Sequence, residues 1–119
     1  MASDKESAAQ TEGEIAGPPP FVVGVSGDMD LDHSAELRSL LFDGVAQAPH
    51  GAEIVVDLQN SSFCDSTGLN HLLAARQFAL DRGSTITLAG PSHQMVRLLE
   101  ITDSVDLFGL APAAQRRSV

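Results

Sequence analysis

The chain has 119 residues, 43% of them hydrophobic, which is enough for one buried core and too little for two; without Trp or Tyr that core must be mainly aliphatic. Sixteen Asp and Glu against seven Lys and Arg give a net charge of -9, which excludes the clustered cations of a nucleic-acid surface and favours a basic protein partner. Four acidic residues against Lys5 leave -3 before Phe21, twelve against four arginines leave -8 from Phe21 to Leu110, and Arg116 and Arg117 add +2.

In chain order, Met1 to Pro20 is rich in Ala, Ser, Glu and Gly and ends in three prolines, which predicts a disordered acidic tail over 1–20. Phe21 to Ser26 reads as a strand. A helix near 33–47 follows, with Leu37, Leu40, Leu41 and Val45 as its core-facing stripe. The β-branched run Ile54, Val55, Val56, Leu58 predicts a strand near 52–58 covered on both faces. Asp65, Ser66 and Thr67 are capping residues ahead of Leu69, Leu72, Leu73 and Leu80, so a helix is predicted to start at Ser66 and to end at Arg82-Gly83. A strand near 85–89, a helix near 92–101 capped by Ser92 and carrying Met95, Leu98 and Leu99, and a last strand at 105–108 complete the list. The alternation predicts an α/β fold: one domain over 21–110 with a mainly parallel mixed sheet, helices packed against it, and a C-terminal tail over 111–119.

Little in the sequence supports catalysis. His33, His50, His71 and His93 are scattered without ligand spacing, so no metal is expected. Cys64 reads as a small buried hydrophobe in a reducing compartment, and as the single cysteine it rules out an internal disulfide. Ser66 follows Cys64 and Asp65 and so lacks the glycine of a nucleophile elbow, and no Gly-rich phosphate loop occurs. No catalytic residue and no cofactor are predicted. No apolar run approaches the ~20 residues that span a bilayer, and the first residues lack the pattern of a secretion signal, so a cytoplasmic protein without a membrane span is expected.

The stretch IVVDLQNSSFCDSTGL, Ile54 to Leu69, places Ser66 and Thr67 at a helix start, with Gly68 supplying no side chain there. It resembles the signature of STAS domains, in particular of bacterial anti-sigma factor antagonists. There a strand leads into a hydrophobic-Asp-Ser-Ser/Thr-Gly-Leu element whose serine is phosphorylated; Ser66 stands in that place. Gly27, Asp28, Met29 and Asp30 resemble the family's Gly-Glu-Leu-Asp, with Asp28 for Glu, and Ser84 to Phe108 is similar to its next strand and Gly-Pro-Ser helix. Family members usually open with a strand before the equivalent of Phe21, which is expected to be short or missing here, and commonly end in a further helix, which is not expected.

The resemblance implies an antagonist whose unphosphorylated form binds an anti-sigma factor that is also a serine kinase, freeing a sigma factor. Phosphorylation of Ser66, or as a lesser alternative Thr67, switches binding off, and a serine phosphatase reverses it. The implied partner-binding residues are Asp28, Asp30, Asp65, Ser66, Thr67, Gly68 and Leu69, with a homodimer left open. Asp28 and Asp30 also have a purely structural reading as acids at the start of the first helix. A second reading keeps the fold without the switch, as a scaffold subunit of a stress-signalling or lipid-transport complex.

Overall fold

A computed structural model of the chain describes residues 19–113. The expectations for a tail over 1–20, for the family's opening strand and for the residues after Ala113 fall wholly or mainly outside that range. Within it, Phe21–Ser26 (β1), Glu53–Asn60 (β2), Thr85–Ala89 (β3) and Gly109–Ala111 (β4) form a sheet ordered β1-β2-β3-β4, all parallel. Helices Ser34–Gln47 (α1), Ser66–Asp81 (α2) and His93–Ile101 (α3) make the crossovers, and a 3-10 turn at Leu31–His33 leads into α1.

The strands alternate. Val23 lies opposite Val56, which lies opposite Leu88, and these residues merge with Leu41, Leu72 and Leu99 of the helices into one core. Each such fully buried aliphatic side chain contributes roughly 1.5–3 kcal/mol. α1 crosses β1 so closely that a Cβ on Gly44 would stand 2.7 Å from a Val23 methyl. The other sheet face is only partly covered: Val22 is 57% exposed and Val55 half-buried, which corrects the expectation of a strand enclosed on both faces. Asp57, buried on β2, accepts hydrogen bonds from the Gln59 backbone N–H and side-chain amide, both at 3.1 Å.

Three further expectations are corrected. Leu40 and Leu80 are each 40% exposed, because the buried stripes run Leu37, Leu41, Val45 on α1 and Leu72, Ala75, Ala79 on α2. The last strand lies at 109–111 rather than 105–108. Val105–Leu107 is a 3-10 turn: the Leu107 and Phe108 N–H groups bond back to Ser104 and Val105, and the Arg76 guanidinium donates to the Leu107 carbonyl at 2.6 Å. Those groups are therefore taken before a ladder with β3 can begin.

α1 and α2 are also joined through side chains. Phe42 and Phe78 stack with centroids 5.5 Å apart, Arg38 lies over the Phe42 ring at 4.5 Å and Arg82 over Phe78 at 5.7 Å. Because all four strands run the same way, the segments that follow β1, β2 and β3 gather at one edge of the sheet.

Candidate functional site

That edge carries the Asp65-Ser66-Thr67-Gly68 element. After β2 the chain runs extended through Cys64, which forms an isolated parallel bridge to Met29: the Met29 N–H donates to the Phe63 carbonyl at 2.8 Å and the Asp65 N–H to the Met29 carbonyl at 3.1 Å. Cys64 turns its own N–H and carbonyl the other way, where the Gln94 side chain meets both. Gln94 Oε1 accepts from the Cys64 N–H at 2.8 Å, and Gln94 Nε2 donates to the Cys64 carbonyl at 2.6 Å.

Asp65 is the N-cap of α2. One carboxylate oxygen accepts from the Gly68 N–H at 3.0 Å, and the other accepts from the Leu31 N–H at 3.3 Å, so the same side chain caps the helix and holds the loop after β1. Gly68 is buried because the Met29 main chain lies against it: a Cβ there would collide with the Met29 carbonyl oxygen and stand 2.8 Å from Met29 Cβ. The glycine thus admits the protein's own loop rather than a ligand. Leu69 is 3% exposed and belongs to the core.

Among the residues expected at the docking edge, Gly68 and Leu69 are therefore enclosed within the chain. Ser66 is exposed, Thr67 half-buried, and Asp28, Asp30 and Asp65 half-buried around them. Asp28 accepts from the Ser62 hydroxyl at 3.3 Å. Asp30 caps the 3-10 turn by accepting from the His33 N–H at 3.1 Å, and meets His33 Nδ1 at 2.6 Å. That hydrogen bond raises the His33 pKa and lowers that of Asp30. Behind them the Ser34 hydroxyl and His71 Nε2 lie 2.7 Å apart, linking α1 to α2.

Two features of this edge have no counterpart in the sequence reading. Leu31 and Phe63 are 70% and 43% exposed, setting apolar side chains beside the acidic group. A cavity of about 110 Å³ next to it is floored by Val25, Leu37 and Leu40 and rimmed by Asp28, His33 and Glu36. The edge therefore combines fixed main chain, a free hydroxyl, net negative charge and a few exposed apolar anchors. Cys64 is enclosed in it, and burial, with the Asp65 charge adding to the effect, pushes its thiol up to about 12, so it stays protonated and unreactive at neutral pH. Among the described residues no group of three or more His, Cys, Asp or Glu side chains is placed to hold a metal ion, and no helix is long and apolar enough to cross a membrane.

Comparison with known proteins agrees with this architecture. The family model described as Mlab, STAS domain matches residues 17–109. The anti-sigma-B factor antagonist of Bacillus subtilis is 27% identical over 93 residues, covering 78% of this chain and 83% of that protein. Its namesake in Listeria monocytogenes is 32% identical over 83 residues, covering 70% and 71%. The structure of the anti-sigma factor antagonist SpoIIAA in its unphosphorylated form superposes with a TM-score of 0.65 at 16% identity, over 88% of this chain and 89% of that one. With a domain-length family match and antagonists among its relatives, this chain belongs to the STAS domain family, on the side of the anti-sigma factor antagonists.

Proposed function

We propose that this protein is a cytoplasmic anti-sigma factor antagonist switched by phosphorylation of Ser66. Its unmodified form docks on an anti-sigma factor that is also a serine kinase, and so frees a sigma factor. The kinase transfers the terminal phosphoryl group of a nucleoside triphosphate to Ser66 Oγ, with loss of the hydroxyl proton and release of the nucleoside diphosphate, which ends the docking; a serine phosphatase restores it by hydrolysing the ester to inorganic phosphate. The protein is then the substrate of these reactions and not their catalyst.

The observation that carries this reading is the exposed Ser66 hydroxyl at the first position of α2, on main chain whose neighbours are pinned by Asp65, Met29 and Gln94. A phosphate there adds about -1.5 to -2 charge where the helix dipole favours anions by roughly 0.3–1 kcal/mol, so the domain keeps its fold. A docked partner meets a different situation. It would have to desolvate a dianion together with Asp65, Asp28 and Asp30, at a cost of several kcal/mol, unless it brought further cations. Leu31 and Phe63 supply apolar anchors for the unmodified complex, and the Asp28–Glu36 rim suits a basic side chain of the partner.

The matching family model carries a different name, Mlab, from that of the curated relatives, which keeps a non-switching STAS subunit as the second reading. Co-production with anti-sigma kinases of the same source, followed by intact mass and site mapping, separates the two. The switch predicts one +80 Da species at Ser66, binding kept by Ser66→Ala and lost by at least tenfold in Ser66→Asp. Absence of phosphate, with binding indifferent to both substitutions, would establish the subunit instead.

A further inference from the structure

We propose that Gln94, on the first turn of α3, is the positioning residue of the Ser66 switch, an inference that rests on the reading of Ser66 as the phosphoacceptor. β3 ends at Ala89, so among the described residues no strand lies beside Cys64 on the side away from Met29. The Gln94 amide stands there instead. It accepts from the Cys64 N–H at 2.8 Å and donates to the Cys64 carbonyl at 2.6 Å, the two bonds a neighbouring strand would make. With the Met29 bonds on the opposite side, the main chain from the Phe63 carbonyl to the Asp65 N–H is held in one arrangement two residues before the acceptor hydroxyl.

The hydrogen bonds of the Gln94 side chain go to Cys64 and not to Ser66, so it acts through Cys64 and Asp65. A glutamine suits the place because only a primary amide offers one donor and one acceptor side by side without charge. The clamp also ties the Ser66 segment to α3, whose own first turn is capped independently by Ser92 accepting from the Met95 N–H at 3.1 Å. Movement of α3 is thereby transmitted to the start of α2 through one side chain.

The test compares the full chain as wild type, Gln94→Leu and Gln94→Glu, with Arg82→Met as a variant loosened at the far end of α2. Residue-resolved amide exchange is read first. Gln94→Leu is expected to speed exchange at Cys64 and Gly68 at least tenfold while β2 stays protected. Gln94→Glu should fall between, since a carboxylate still accepts from the Cys64 N–H but faces the Cys64 carbonyl without a proton to donate. Phosphorylation by the kinase that modifies wild type is read second. Gln94→Leu should raise KM at least fivefold with kcat little changed, and Arg82→Met should show wild-type kinetics despite its lower melting temperature. Unchanged exchange, or loosened exchange with unchanged KM, would overturn the role of Gln94 alone. If no kinase modified wild type at Ser66, the phosphoacceptor reading would fall and take the switch role of Gln94 with it, even where exchange showed the clamp intact.

Discussion

The two ends of α2 solve the same problem in opposite ways. At the N-terminal end the orphan donors and the preceding extended segment are met by several separate fixtures, the Asp65 cap, the Met29 bridge and the Gln94 amide, with Ser66 left uncovered. At the C-terminal end a single long cation closes the joint. Arg82 donates to the Ala46 carbonyl at 3.0 Å and the Ala48 carbonyl at 3.1 Å, stacks over Phe78, and accepts through its own carbonyl from the Gly51 N–H at 3.1 Å. On the proposed function, a surface that is to be read by a partner fixes its main chain and frees a side chain. A surface that only has to hold two helices together commits the side chain as well.

The largest expected effect that can break this contrast is at Gly68. A Cβ there meets backbone, not a flexible side chain, so Gly68→Ala should destabilise the fold by about 3 kcal/mol and shift the start of α2 away from Met29. Thermal unfolding together with exchange at Met29 and Asp65 checks it; a variant as stable as wild type would show that the N-terminal end is softer than its contacts indicate. Arg82→Met comes next, at about 1–2 kcal/mol, from two lost hydrogen bonds to carbonyls and one lost cation–π contact. Its calorimetric loss should leave amide exchange at Cys64 to Leu69 untouched, and coupled loosening of both ends would erase the distinction between them.

The smallest effect is at His33, and it follows from proton linkage. Because Asp30 raises the His33 pKa, the protonated ring is favoured in the folded state; its contribution is fully present below the ordinary value of 6.5 and is lost as pH rises through the folded-state value above it. Asp30, lowered, contributes above its ordinary value of 3.8 and loses that contribution as pH falls through its folded-state value. The difference in melting temperature between wild type and His33→Gln should thus be greatest between pH 3.8 and 6.5 and shrink above that window. A difference that stays flat from mildly acid to mildly alkaline solution would show that the pair is not formed.

What could be read from the sequence was what is decided locally. The strand at 21–26, the strand at 85–89, the start of α2 at Ser66 and the Asp65 and Ser92 caps depend on residues within one turn of each other, and all stand where they were predicted. Periodicity placed Leu40 and Leu80 in the core because they are large and apolar. The structure puts Ala75 and Ala79 there, since α2 packs closely enough on its neighbours that small side chains fill the space. Gly68 was legible as a position without a side chain, but what approaches it was not, because Met29 lies 39 positions earlier. Gln94 gave no signal at all: a glutamine in the first turn of a helix is ordinary until Cys64 is brought beside it.

The fixtures of the Ser66 segment join distant parts of the chain, with Leu31 and Asp65 separated by 34 positions and Cys64 and Gln94 by 30. The parallel strand pairs close loops of similar length, Phe21 opposite Ile54 and Glu53 opposite Thr85, so the frame of this segment and the sheet are formed against the same chain entropy. A nascent chain that has not yet exposed its third crossover already has Ser66, Asp65 and Met29 but not Gln94. Under the proposed switch, a copy whose third crossover has not docked would offer a kinase the Ser66 segment without its Gln94 clamp, where the folded domain offers a set geometry.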